Sequence, residues 1–391
     1  MNKLTLNTKE ALDALKLAVE VSEAKGVATQ QETLISVNSD SAELCATNSK
    51  TSIILKLPCE SDSKFSFSVN CKALKNLFEG VSNVYAKAEI IVNEKEAEIF
   101  VDECKYKLPI VDVHNFPTLP SFTGEKKMGC MPAERLEALT KEVLPFVAKK
   151  ESGRDRGALE KVFYKQTAEN AVSVATCANK MIKTEYSDLT GGVEFSVLFG
   201  PEILKLSANA VKVYGGDCGL SVGVDGNIRL ANKKFFIWGK HDTEEHYPDY
   251  EKVMPVECNA QVSIDKSAIV SAINKVGKQA NYQGLVVIEF ENDYLNLKTD
   301  GAETKISCRT HHGCKGKIGF NYKFLLDVIE KTSGNIVKFD FEAADKGVII
   351  NGQKSGVFKD TVTLLMPLKM SDGFIEKGSK IINFAKEVKA A

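Results

Sequence analysis

Apolar residues recur along this chain with two spacings, and the two alternate in a fixed order. Leu4 and Leu6 are spaced as in a half-buried strand, and Leu12, Leu15 and Val19 then fall on one helical stripe. The order returns with Pro132 at a first helical position, followed by Leu136, Leu139 and Val143. It returns again with Val262 and Ile264, then Asp265 as an N-cap, then Ile269, Ile273, Val276 and Ala280. These stripes predict helices over 8–25, 132–150 and 265–280. A second helix follows each: 71–81 on Leu74, Leu77, Phe78 and Val81, 201–212 on Ile203, Leu206 and Ala210, and 321–332 on Phe324, Leu325, Val328 and Ile329. Between them, runs of β-formers predict strand pairs at 33–37 with 42–47, 162–166 with 171–176, and 285–290 with 294–298, the last turned at Glu291-Asn292-Asp293. Closing strands fall at 90–92, 97–101 and 348–350, the last turned at Asn351-Gly352.

The spacing of these helices, about 120 to 135 residues, is too long for a solenoid and fits three domains of one fold. Three apolar/Pro stretches punctuate the chain: Asn115 to Pro120, Tyr247 to Pro255 and Leu364 to Met370. Proline removes a ladder donor, so such stretches end β-rich segments. The expected division is 1–122, 123–256 and 257–370, with a C-terminal extension over 371–391. The fold class expected is α+β, each unit placing two helices on antiparallel sheets.

Composition narrows the class without naming a chemistry. With 43% hydrophobic and 26% charged residues, the chain reads as globular. Its ten cysteines include no C-x-x-C pair and read as reduced thiols of a cytoplasmic protein. No run is apolar enough for a membrane span, and the N-terminus shows no signal-peptide core, so no membrane partner is expected. The net charge of −1 is unevenly spread. The six predicted helices hold 16 Lys and Arg against 12 Asp and Glu, so they are mildly cationic on an acidic body. Lys149, Lys150, Arg154 and Arg156 form the densest basic group, suited to phosphate contact or, more simply, to a solvated loop.

Three motifs then carry a resemblance. Tyr247-Pro248-Asp249-Tyr250 with Val253 and Pro255, Leu364-Leu365-Met366-Pro367-Leu368-Lys369, and Ile318-Gly319-Phe320-Asn321 leading into Leu325-Leu326-Asp327-Val328 resemble the bacterial sliding clamp family, the beta subunit of the DNA polymerase III holoenzyme. In element order the similarity runs to about residue 370. It implies three domains per chain and a head-to-tail homodimer closing a ring, with helices lining the channel. The implied partners are double-stranded DNA, the replicative DNA polymerase, the clamp loader and other clamp-binding-motif proteins; no cofactor, metal or catalysis is implied. Carried over by motif, the peptide pocket comprises Leu159, Thr176, Met181, Pro248, Val253, Leu364, Met366, Pro367 and Leu368. Loop position nominates Lys25, Lys149, Lys150, Arg154, Arg156, Lys275 and Lys278 for DNA phosphates.

The chain departs from the family in three places. Cys177-Ala178-Asn179-Lys180 stands where Asp-Gly-His-Arg is usual, Phe199-Gly200-Pro201 replaces a basic stretch, and 21 residues follow Met370. In that extension Ile381, Ala385 and Val388 share one face of an expected amphipathic helix. The glycine-rich 215–219 lacks the Lys-Ser/Thr of a phosphate loop and reads as a hairpin turn. His311-His312-Gly313-Cys314 has no second cluster to complete a metal site, and Trp238 reads as sheet core. The function expected is a processivity clamp; the alternative is a clamp-like peptide-binding module, or mobile-element paralogue, that does not encircle DNA.

Overall fold

The computed structural model describes residues 2–22, 31–81, 86–119, 124–150, 156–186, 193–224, 226–240, 246–311, 314–352 and 359–368. Lys25, Arg154 and the extension 371–391 lie outside the described residues. Six α-helices are described: α1 (Thr8–Ser22), α2 (Cys71–Glu79), α3 (Ala133–Ala138), α4 (Pro201–Tyr214), α5 (Lys266–Val276) and α6 (Tyr322–Lys331). Four begin directly after a strand on an Asn or Asp whose side chain takes up a free amide of the first turn. Asn7 accepts from Lys9 and Glu10, Asn70 from Ala73, Asp265 from Ala268, and Asn321 from Lys323 and Phe324. Each such cap is worth about 1 kcal/mol.

One of the expected helices changed in detail. Pro132 is the residue before α3 and not its first, and the Asp217 carboxylate receives the Ala133 amide at 3.0 Å. The helix expected over 132–150 ends as α-helix at Ala138, widens to a π turn over Leu139–Val143, and closes as a 3-10 turn over Leu144–Phe146. Pro145 is the cause: it has no amide for the Lys141 carbonyl four residues back. The Lys331 ammonium approaches that carbonyl instead, at 3.4 Å. The glycines at 215–219 also differ from expectation. They form no hairpin turn but carry the chain out of α4 into strand Cys218–Val222, with Gly215 and Gly216 at φ 69° and 82°, where only glycine is unstrained.

The chain divides into two compact units. The first holds residues 1–140 and 199–244 and carries one twelve-stranded sheet. That sheet is continuous where strand Thr51–Pro58 pairs with Phe235–Lys240, Ile53 facing Ile237 and Leu55 facing Phe235. Buried Ala11, Ala14 and Ala18 of α1 and Ala208 and Ala210 of α4 keep their helices thin enough for close approach. Trp238 is buried in this sheet, as its sequence context suggests.

The second unit holds residues 141–198 and 245–391 and carries a nine-stranded and a four-stranded sheet. In the larger sheet, strand Lys180–Tyr186 pairs along its whole length with Lys359–Leu365. Here α5 and α6 pack together, and Phe290 stacks on Phe341 with ring centroids 4.8 Å apart. The segment expected as a middle domain, 123–256, thus contributes strands to both units.

Candidate functional site

Cross-strand register assembles the site on one face of the nine-stranded sheet. Met181 faces Leu364, and Leu364 faces Ile349. Residues directly opposite share a face, so these three form one row across three strands. Val174, Met181 and Leu364 are its buried centre. Half-buried Phe163, Val172, Tyr247, Tyr250, Met254, Ile349 and Met366 pack around them. Phe163 stacks on Tyr247 at 5.3 Å and meets Tyr250 at 6.1 Å and an interplanar angle of 50°. Burial pushes both phenols up; a backbone contact from Thr176 opposes this at Tyr247, and Lys183 opposes it at Tyr250.

The residues expected to form a pocket separate by depth. Met181 and Leu364 are floor, and Met366 is a half-buried wall packed on them. Thr176, Pro367 and Leu368 are half-buried beside it, while Pro248 and Val253 are exposed on the approach to and within the 3-10 turn Tyr250–Val253. Leu159, on the 3-10 turn Gly157–Glu160, lies outside the packed cluster, as do Val253 and Leu368. The aromatic wall of Phe163, Tyr247 and Tyr250 was missed, although two of the three sit inside the Tyr-Pro-Asp-Tyr motif.

The turn between strands Ala171–Thr176 and Lys180–Tyr186 borders this cluster. The Thr176 hydroxyl donates to the Lys180 carbonyl at 2.9 Å and accepts the Ala178 amide at 3.1 Å. The Cys177 amide donates to the same Lys180 carbonyl at 3.2 Å. This network holds Ala178 at φ 72°, a left-handed conformation that a Cβ disfavours by about 1–2 kcal/mol. Ala178→Gly should therefore raise stability by roughly 0.5–1 kcal/mol, read as a later urea midpoint at unchanged slope.

Of the expected phosphate contacts, Lys149, Lys150, Lys275 and Lys278 are exposed. Arg156 is half-buried, its amide donating to the Glu160 carboxylate at 3.3 Å. The Ala148 amide and Leu159 carbonyl, 2.8 Å apart, close the neck of the loop bearing Lys149, Lys150 and Arg156. Among the described residues no group of three or more His, Cys, Asp and Glu is placed to hold a metal, and no helix is long and apolar enough to cross a membrane.

Comparison with solved structures places the architecture. The DNA polymerase III subunit beta of Pseudomonas aeruginosa superposes with a TM-score of 0.84, covering 94% of this chain and 100% of that one at 18% identity. The chain has the sliding-clamp fold. Its residues 251–369 match the family described as DNA polymerase III beta subunit, C-terminal domain. The beta sliding clamp of Synechococcus elongatus is 20% identical over 293 residues, which span 71% of this chain and 75% of that protein. The beta sliding clamp homolog GriR of Streptomyces muensis is 28% identical over 130 residues, 31% of this chain and 35% of that protein. The motifs first noted around Tyr247, Ile318 and Leu364 thus mark a clamp-type α+β fold with repeated helix-on-sheet units, and the matched family segment holds Met254, Ile349, Leu364 and Met366 of the apolar site.

Proposed function

We propose that this protein is a DNA sliding clamp: a non-catalytic processivity factor of the cytoplasm that encircles duplex DNA as a homodimeric ring of three-domain chains. On this reading it tethers the replicative polymerase, the clamp loader and other clamp-binding-motif proteins through the apolar site. The observation that carries the reading is that site, where half-buried Met366, Phe163, Tyr247 and Tyr250 surround a floor of Val174, Met181 and Leu364. Methionine side chains adapt to varied anchors, tyrosine rings offer rigid contact area, and an apolar recess of this kind supplies hot-spot energy for short peptides. Fluorescence titration with a peptide copying the C-terminus of the host's replicative polymerase tests it, with saturable binding expected. A folded protein that binds no such peptide sinks the tethering half of the proposal.

Ring closure draws support from two open strand edges among the described residues. Strand Cys104–Val111 pairs along one side with Glu96–Val101, but on the other only Ile110 and Val111 are paired. Strand Glu303–Ser307 pairs only with Tyr294–Lys298. Open edges accept strands from another copy. Helix α5 packs on that strand, and Tyr282, six residues beyond the end of α5, is 96% exposed. Its loop is firmly built: the Asn281 side chain accepts the Gln283 and Leu285 amides, and the Asn321 side chain holds the Gln283 carbonyl. A large aromatic side chain exposed on a firmly held loop suits an interface with a second copy.

DNA contact on this reading is electrostatic and weak enough to permit sliding. Replacing Lys149, Lys150, Arg154 and Arg156 with alanine should flatten the dependence of log affinity on log salt by about one for each phosphate the variant no longer neutralises. Peptide binding should be unchanged. An unaltered salt slope would return the cluster to a solvated loop.

A further inference from the structure

The segment Met366-Pro367-Leu368 is fastened at both ends by its backbone. The Met366 amide donates to the Asn179 carbonyl and the Leu368 amide to the Gly319 carbonyl, each at 2.8 Å. The first anchor belongs to the 177–180 turn. The second belongs to strand Gly316–Asn321, which runs through the Asn321 cap directly into α6. The two hydrogen bonds leave the spacing between their anchors open, and one side chain spans it. Lys180 ends the turn, and its ammonium lies 2.7 Å from the Asp327 carboxylate on α6. The same ammonium lies 5.1 Å from the Phe146 ring centroid and 5.8 Å from that of Phe324, one helical turn before Asp327.

We propose that Lys180 is a positioning residue: its ion pair with Asp327 fixes the 177–180 turn against α6 and thereby sets the Met366–Leu368 wall of the site. The inference rests on the peptide-binding reading above. Lys180 is 6% exposed, so a docked peptide does not touch it, and it acts through Met366. The Asp327 side chain is 53% exposed and keeps contact with water. A buried ammonium with a single carboxylate partner is sensitive to that partner's position, because an unpaired buried charge is strongly unfavourable. The Lys180 carbonyl already accepts the Thr176 hydroxyl and the Cys177 amide, so displacing the side chain displaces the turn and, through Asn179, Met366.

Lys180→Met keeps the apolar stem and removes the charge, Lys180→Arg keeps the charge, and Asp327→Asn removes the partner. The readouts are titration with the polymerase C-terminal peptide, the denaturation midpoint, and the 13C-methyl signal of Met366, assigned through Met366→Ala. Lys180→Met is expected to bind at least tenfold more weakly with the Met366 methyl signal moved or broadened, while Lys180→Arg stays near wild type. Asp327→Asn is expected to move the same signal, and the double variant to be no worse than Lys180→Met alone. If Lys180→Met does not fold, the half-exposed Asp327→Asn substitution carries the test. An unmoved Met366 methyl in the charge-removing variants overturns the proposal, whether affinity is unchanged or falls only with the midpoint. If the wild type binds no peptide, the tethering reading fails and the methyl signal alone decides this one.

Discussion

Loaded onto a nicked circular duplex, the protein should travel with the DNA through gel filtration and separate from it once the circle is cut. The expectation follows from topology. A closed ring cannot leave a circle without opening, so retention does not depend on the strength of any contact. Retention on the circle should therefore persist at salt concentrations that abolish binding to linear duplex, because phosphate contacts weaken steeply with salt. On the proposed reading, the ring in turn depends on a second copy joining the open edges at 104–109 and 303–307. Tyr282→Glu replaces an exposed aromatic ring with a charge. A side chain 96% in water contributes little to the fold of its own chain, so the variant should fold, sediment as a monomer, and be lost from circular and linear DNA alike. Equal retention of wild type on circular and cut DNA would instead identify an ordinary groove binder, or the peptide-binding module that does not encircle DNA.

What the sequence made legible follows the range of each signal. Local signals carried well: α1, α2, α4, α5 and α6 each begin within a residue of expectation, since a strand, a cap or proline and a 3.6-residue stripe agree at each start. The 132–150 stripe was misleading because Leu136, Leu139 and Val143 keep helical spacing up to Pro145, whose missing amide acts backwards on the preceding turn. Long-range pairing left no periodic trace. Nothing in Ile53 or Met181 names Ile237 or Leu364 as its partner, so the joining of strands into two units appears only in the structure. Within the site, the motif supplied Met366 and Leu364, while Phe163 lies inside the strand expected over 162–166 with no motif to mark it. Lys180 entered only as the end of the Cys177–Lys180 segment that departs from the family, because the arrival of Asp327 and two rings, which allows its burial, leaves no local trace.

The division of the site into floor and wall predicts two different kinds of damage. Leu364 is 1% exposed, and the position a Cβ would take on Gly347 lies only 2.7 Å from its Cδ1, so backbone packs directly against it. Leu364→Ala opens a cavity that this rigid neighbour cannot collapse into, and should cost about 2–5 kcal/mol of stability. Met181→Ala, buried in the same row, should behave alike. Met366 and Leu368 are half-buried, and their truncation leaves the strand ladder beneath them intact. Met366→Ala or Leu368→Ala should lose roughly 1–3 kcal/mol of peptide affinity, the range for truncating an anchor side chain, with a stability loss well below that of Leu364→Ala. Urea denaturation beside titration of the polymerase peptide separates the two classes. If Met366→Ala unfolds as readily as Leu364→Ala yet binds peptide like wild type, then its side chain is core, and the recess that receives peptides must be sought elsewhere on the second unit.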